Sequence, residues 1–403
     1  MKRPSWKIAF VSPRWAPDAA GGAEVLSRSL AERLAARGHS VEALATCADD
    51  PHTWRNVREP GEEELEGVTV RRFSVNPGRV SKDFLDIQRR IGRGHRVTRS
   101  EEEEWIGGSV VSDGLDEWIA SRGEGYDALI FVPYLFGITW SGSSIFPEKS
   151  LLIPCLHDEP FARLSIYQEM FNRFRGFLFN SLPEMEFARR LFRIPRERSF
   201  LVAMGFDDVG EYDARRFVEG RGLGPFLLYA GRREGGKNTD LLMEYFRTWK
   251  GRNGGDLKLV LIGSGDVNLQ ARDGENILDF GFVSAREKLD AMAASLAFCQ
   301  PSTNESFSIV LMESWLAGRP VLVHGRCAVT RDHVERSDGG LWFDDYFTFE
   351  ECLNRLLAHP GESASMGRAG GVYVRENYSW NAVLNRCEEA IARSLGEEFR
   401  VDA

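Results

Sequence analysis

The chain has 403 residues, more than one hydrophobic core usually supports, which predicts two domains. Its 43% hydrophobic and 28% charged content is that of an ordinary water-soluble globular protein. A formal net charge of -9 argues against a general nucleic-acid binder. No apolar run reaches the length of a membrane span, and the opening MKRPSWKIAFVSPRW runs straight into a strand with no leader-like apolar region. Six cysteines are scattered without a C-x-x-C pair, so buried free thiols in a reducing cytosol are expected. The seven histidines show no ligand spacing, and no structural metal is expected.

In chain order, Lys7 to Ser12 is a short apolar run of the buried parallel type. A loop carrying the pair Gly21-Gly22 follows. An amphipathic helix then presents Val25, Leu26, Leu30 and Leu34 on one face and stops at Gly38, and a second strand runs from Ser40 to Thr46. Strand, glycine loop, helix and strand open a Rossmann-like unit. The glycine pair is not a G-x-G-x-x-G fingerprint and fits a tight turn as readily as a ligand loop. Residues 51 to 125 carry little signal. They hold a strand at Val68 to Phe73, a basic stretch from Arg71 to Arg99, and an acidic patch, Glu101 to Glu104, that starts one helix bearing Trp105, Ile106, Leu115, Trp118 and Ile119. Acidic residues at a helix start complement its dipole.

Runs at 126–134 and 150–160 each read as a strand entering a loop, with a helix between them. His157 and Asp158 fall at the carboxyl end of the second, where open α/β sheets place ligands; a histidine there can equally hydrogen-bond its own loop. A strand at 176–181, a helix at 183–193 and a strand and turn at 199–207 complete the first half. Within it, Arg173, Phe174 and Arg175, then Arg189 to Arg193, mix basic and apolar residues. Such a face suits peripheral contact with an anionic membrane, or equally a solvated helix over a core.

Asp207 to Gly224 is polar and reads as a linker. A strand from Phe226 to Ala230 then meets a loop and a helix from about Thr239. Gly231, Gly236 and Lys237 satisfy G-x-x-x-x-G-K, but Asn238 stands where a Walker A loop needs Ser or Thr, which disfavours a nucleotide hydrolase. Arg232 and Lys237 near that helix start would suit a diphosphate. A strand at 257–265 ends in Gly263-Ser264-Gly265, a strand and turn follow at 277–283, and a helix at 285–296. The next stretch, Pro301 to Val323, organises the chain. Glu305 lies in a loop and Glu313 in a helix from about Ile309, with seven residues between them. Ser306, Phe307 and Ser308 lead into the helix, whose first N–H groups suit a phosphate, while the carboxylates suit hydroxyls. Glutamates around a helix start also serve as plain caps. Beyond, strands at Val321 to Gly325 and 339–345 and a helix at 348–358 finish a second α/β unit. Two tail helices follow, the last bearing Val383, Leu384, Cys387, Ile391 and Leu395.

The organising stretch resembles the E-x7-E signature of family-four retaining glycosyltransferases, the glycosyl transferases group 1. Pro301, Ser302, Glu305, Phe307, Glu313, Gly318, Pro320 and Val321 stand in the matching places. It departs at Ser306, Ser308 and Ser314, where the family often has Gly, Gly and Ala. The resemblance is closest over 226–345, extends to 6–46 and 150–207, and is absent over 51–125.

The resemblance implies an α/β protein of the GT-B fold, two Rossmann-like domains facing across a cleft. Residues 1–207 would bind acceptor and 208–380 donor, and 381–403 would form a helix crossing back to the N-terminal domain. It implies retaining transfer of a hexosyl unit from a nucleoside diphosphate sugar to a glycan, lipid-linked or small-molecule hydroxyl acceptor. Glu305 would hold sugar hydroxyls, Glu313 the ribose, and Arg232 and Lys237 the departing diphosphate. His157 would lie near the donor sugar, and Gly21 and Gly22 beside the transferring phosphate. Backbone groups of Ser306, Phe307, Ser308 and Ile309 would cradle phosphate, with Gly263 near the nucleotide and Phe282 and Val283 at the base. No cofactor or metal is expected, since the sequence has no D-x-D. A nucleotide-sugar 2-epimerase of the same fold and a non-catalytic nucleotide-sugar-binding protein are the competing readings. The expected location is the cytoplasm, with the inner face of the membrane as an option.

Overall fold

The computed structural model describes residues 5–16, 21–50, 53–77, 81–207, 212–233, 235–270 and 273–398. The chain divides into two compact units, residues 1–204 together with 381–403, and residues 205–380.

The first unit is built on an eight-stranded sheet. Its strands are β1 (Lys7–Ser12), β2 (Ser40–Thr46), β3 (Gly61–Leu65), β4 (Val68–Phe73), β5 (Ala128–Phe131), β6 (Ser150–Leu152), β7 (Gly176–Phe179) and β8 (Ser199–Leu201), in the order β3-β4-β2-β1-β5-β6-β7-β8. Every pair is parallel except the β3–β4 hairpin. Helices cover both faces of a parallel sheet, so β5 and β7 read as unbroken apolar runs and are wholly buried. The chain leaves β1 for β2 on one side and returns to β5 on the other. That reversal opens a crevice at the carboxyl ends of β1 and β5.

The second unit has a six-stranded, all-parallel sheet: β9 (Phe226–Ala230), β10 (Lys258–Ile262), β11 (Ile277–Asp279), β12 (Ala297–Gln300), β13 (Val321–His324) and β14 (Gly340–Phe343). The order β11-β10-β9-β12-β13-β14 is the doubly wound 3-2-1-4-5-6 arrangement. Its reversal falls between β9 and β12, so the loops after these two strands open side by side. They are the G-x-x-x-x-G-K loop and the loop bearing Glu305.

The terminal helix, Trp380–Leu395, packs in the first unit. Glu388 is fully buried there; it accepts from Arg37 at 2.7 Å and lies 3.1 Å from His39 Nε2. Trp6, stacked on His39 at 5.1 Å, donates its indole N–H to Glu397 at 3.0 Å.

Two expectations need correction. The stretch read as a linker contains a helix, Ala214–Glu219, capped by Asp213 and tied by Arg216 to Asp290 of the helix Ala285–Ala294; residues 208–211 of that stretch lie outside the described residues. The single helix expected after Glu101 is two, Arg99–Gly107 and Asp113–Arg122, because Gly107 and Gly108 stop the first and Ser112 caps a second. In the mixed segments Arg173–Arg175 and Arg189–Arg193, Phe174 and Phe192 are buried in the core and Leu191 packs against it, the arrangement of a helix face over a core.

Candidate functional site

The crevice of the second unit is built from the ends of β9, β10 and β12. The first two loops meet backbone to backbone: a Cβ on Gly263 (φ 128°) would stand 2.0 Å from the carbonyl oxygen of Gly231, so only glycine fits. Gly231 N–H donates to Ile262 O at 3.0 Å, and Arg233 N–H to Ser264 O at 2.9 Å. The guanidinium of Arg233, its side chain 3% exposed, closes the corner on Gly265 O at 2.7 Å and on Asp279. Arg232 beside it has an exposed side chain, and its carbonyl accepts from Tyr229 Oη at 2.6 Å. Of the adjacent arginines, Arg233 is therefore the structural one.

Three contacts lock the loop after β9 to the loop after β12. Lys237 Nζ lies 2.7 Å from Glu305 Oε1, Asn238 Nδ2 donates to Pro301 O at 3.1 Å, and Ser302 Oγ donates to Gly236 O at 3.3 Å. Gln300, the last residue of β12, adds its amide to Glu305 Oε1 at 2.8 Å. Both donors converge on one oxygen of a carboxylate that is mostly buried. Glu305 is thus a fixed group held at the sheet reversal, where a simple helix cap would point at its own helix.

The helix Ile309–Leu316 starts without a side-chain cap. Ser308 sits left-handed (φ 73°), and its buried hydroxyl has no hydrogen-bond partner. The first-turn N–H groups at Ile309 open towards the loop, with the positive end of the helix dipole behind them. Phe307 turns its ring inward against Phe206, His333 and Tyr378 at centroid distances of 6.1, 5.5 and 5.3 Å. It offers the site its backbone while the ring anchors the loop. Ser306 lies half-buried between Glu305 and that anchor. Glu313, one turn into the helix, is clamped by Lys288 Nζ at 2.6 and 2.7 Å from its two oxygens. Phe282, 77% exposed, and the half-buried Val283 stand beyond the end of β11, where Gly281 O accepts from Gly263 N–H at 2.7 Å. Sequence reasoning missed Gln300, Arg233 and Lys288. The partners of Arg233 and Lys288 stand 46 and 25 residues away, and Gln300, only five residues from Glu305, reads as the end of a buried strand.

The remaining candidates belong to the first unit. Gly21 is the residue before the helix Gly22–Ala36, and a Cβ there would fall 1.9 Å from the Glu24 carboxylate, which Arg14 holds. Nothing lies within 4 Å of a Cβ built on Gly22, so close approach accounts for the first glycine and not the second. His157 follows β6 and is partly exposed; its Nδ1 is 3.6 Å from Glu159 Oε1, too long for a hydrogen bond. Glu159 is held by Tyr134 Oη at 2.7 Å. Next to His157, Leu156 N–H donates to Glu184 Oε1 at 2.6 Å, and Asn180 N–H donates to Glu184 Oε2 at 2.7 Å. Complete burial pushes the Glu184 carboxyl up to about 8. This carboxyl, which sequence reasoning also missed, ties the ends of β6 and β7 together under the histidine loop.

Residues 213–371, almost the whole second unit, match the family model described as glycosyl transferases group 1. The second unit is a group 1 glycosyl transferase domain. In this domain the lysine–glutamate contact and the uncapped helix fall inside the matched region. A relative, the alpha-1,3/1,6-mannosyltransferase ALG2 of Mus musculus, is 26% identical over 110 residues, a match spanning 27% of this chain and 26% of that protein. Among solved structures, sucrose-phosphate synthase from Thermosynechococcus elongatus superposes with a TM-score of 0.72 at 19% identity, over 95% of this chain and 98% of that one. Anabaena Alr3699/HepE in complex with UDP gives a TM-score of 0.70 at 14% identity, over 96% and 99%; the same protein is also solved with UDP-glucose. These likenesses run through both units and establish the fold, which is GT-B.

Proposed function

We propose that the protein transfers a hexosyl unit from a nucleoside diphosphate sugar to a hydroxyl acceptor, with retention at the anomeric carbon and without a metal ion. The observation that carries this reading is the Lys237–Glu305 contact at the sheet reversal, beside a helix start that no side chain caps. In the reaction, the bond from the anomeric carbon to the β-phosphate oxygen breaks and its electron pair goes to the phosphate. The acceptor oxygen bonds the same face of the carbon, and its proton passes to the leaving phosphate. Lys237, Arg232 and the N–H groups around Ile309 meet the growing charge. Glu305 has both protein donors on Oε1, which leaves Oε2 for a sugar hydroxyl. Glu313, held by Lys288, keeps lone pairs for the ribose hydroxyls. A structural neighbour solved with UDP-glucose supports a uridine nucleotide as the first donor to try. A glycan, a lipid-linked sugar or a small molecule would supply the hydroxyl.

The test has two steps. Thermal-shift screening against nucleotides and nucleotide sugars identifies the donor, since a ligand binding only the folded chain raises the midpoint. Transfer to an acceptor panel is then followed by NMR of the product anomer, with and without EDTA. Retained configuration and full activity in EDTA are expected. An inverted product, or manganese-dependent rescue after EDTA, overturns the respective part of the proposal. Conversion of the donor alone to an epimer identifies the epimerase instead.

A further inference from the structure

Strands β6, β7 and β8 start side by side, at the end of the sheet opposite His157. The segments leading into them bring Arg173, Arg175 and Arg198 together, and the terminal helix adds Arg393 and Ser394. These residues line one open cavity of about 480 Å³. Arg175 Nε donates to Ser394 O at 2.8 Å, which ties the helix to the rim. Glu148 and Glu197 also line the cavity, so arginines outnumber carboxylates there.

The arginines are notable for what they do not touch. Several arginines elsewhere are paired with acids, as in Arg37–Glu388, Arg216–Asp290 and Arg247–Asp273. Among the described residues, Arg173, Arg175 and Arg198 form no ion pair. Arg173 donates to Trp140 O at 3.1 Å and lies over the Trp140 ring at 4.3 Å; Arg198 reaches Asn172 O at 3.5 Å, and its buried Nε has no partner. The Ser394 hydroxyl, 4% exposed, also has none. Burial pushes the guanidinium pKa of Arg173 and Arg198 down, and the charge of Arg175 adds to the effect at Arg198. Glu169 and Glu197 oppose these shifts only in part and from beyond ion-pair distance, so the cluster stays short of negative charge and an anion joining it would relieve the cost. A planar guanidinium fork matches the oxygens of a phosphate.

We infer that this cavity is a phosphate-binding site, separate from the sugar-transfer crevice, taking a phosphate group either free in solution, on a small metabolite, or on a lipid headgroup. The inference does not rest on the proposed transfer reaction.

The test uses the full chain and inorganic phosphate as probe. The melting midpoint is followed against phosphate at constant ionic strength made up with chloride. A saturable rise is expected, weakened at least about tenfold by Arg175→Gln with Arg198→Gln, since a charged hydrogen bond is worth about 1.5–3 kcal/mol. It should persist in Lys237→Ala. A rise that Lys237→Ala abolishes and the double variant keeps assigns the phosphate to the transfer crevice and overturns the inference. If the double variant fails to fold, Arg175→Glu alone, at an exposed position, makes the same comparison. Sedimentation with phosphatidylcholine vesicles, with and without phosphatidic acid, separates the sources. Binding to phosphatidic acid vesicles that the arginine variants lose points to a lipid headgroup. A response to free phosphate without vesicle binding points to a soluble ligand. No response to either removes the site.

Discussion

The ammonium of Lys237 lies 2.7 Å from Oε1 of Glu305, across the two loops that open at the reversal of the second sheet. The ion pair holds the cation in place before any donor arrives. Preorganised charge of this kind acts most strongly where charge develops in the transition state. Lys237→Ala is therefore expected to lower kcat about a hundredfold, or ~3 kcal/mol. Affinity for the nucleoside diphosphate should fall, while that for the nucleoside alone stays. Arg232→Ala, at an exposed side chain, should cost less. Steady-state kinetics and nucleotide titrations of both variants check this ordering.

Glu305 and Glu313 should fail in different ways. In the proposed reaction Glu305 meets the sugar, so Glu305→Gln should chiefly lower kcat. Glu313→Gln leaves Lys288 without its counter-ion and, if Glu313 binds the ribose as proposed, should chiefly raise the donor KM. Lys237→Ala combined with Glu305→Gln should cost less than the sum of the two, since the residues touch. Near-wild-type kinetics in both single variants would reduce Lys237–Glu305 and Lys288–Glu313 to structural ion pairs.

Ser308→Gly is expected to stabilise the second unit by about 1 kcal/mol. The residue is left-handed, which strains any side chain by about 1–2 kcal/mol, partly offset by the extra freedom of an unfolded glycine. The change also removes a buried hydroxyl without a partner. Thermal or urea unfolding measures the gain, and transfer activity should survive.

Two buried groups give stability opposite pH slopes. His333, wedged against Phe307 and hydrogen-bonded to Tyr373, has its pKa lowered by burial to about 3. The unfolded chain binds that proton near the usual 6.5 and the folded one does not, so stability falls as pH drops from 6.5 towards 3. Glu184 behaves conversely. Its carboxyl keeps a proton in the fold up to about 8 that the unfolded chain releases near 4.5. That contribution is complete below 4.5 and is lost as pH rises through 8. Urea unfolding at stepped pH should show the acid slope flatten in His333→Gln and the alkaline slope flatten in Glu184→Gln.

The apolar strands and the two loops at the second sheet's reversal were legible because buried parallel strands leave a local signature. Glu305, Lys237 and the helix at Ile309 were picked out by the resemblance to a family motif. The pairing of Lys237 with Glu305 was not, since it arises only when β9 and β12 become neighbours. Strand β3 was missed for a different reason. It reads GEEEL, poor strand material by itself, and is held by Arg71 and Arg72 across the hairpin. Of Arg232 and Arg233, nothing in the local pattern says which turns inward. Asp279, reached through a strand 46 residues on, decides it.

The buried contact of Glu388 with Arg37 and His39 carries a consequence for biosynthesis. The second unit is one continuous piece of chain, whereas the first needs residues from both ends. Emerging from the ribosome, residues 205–380 have all their own strands before the terminal helix is made. The first unit is therefore completed only after the second has been made. Until residue 388 is clear of the exit tunnel, His39 and the Arg37 guanidinium stay open to water or to a chaperone. Folding of the first unit therefore waits on the synthesis of a segment that follows the whole of the second.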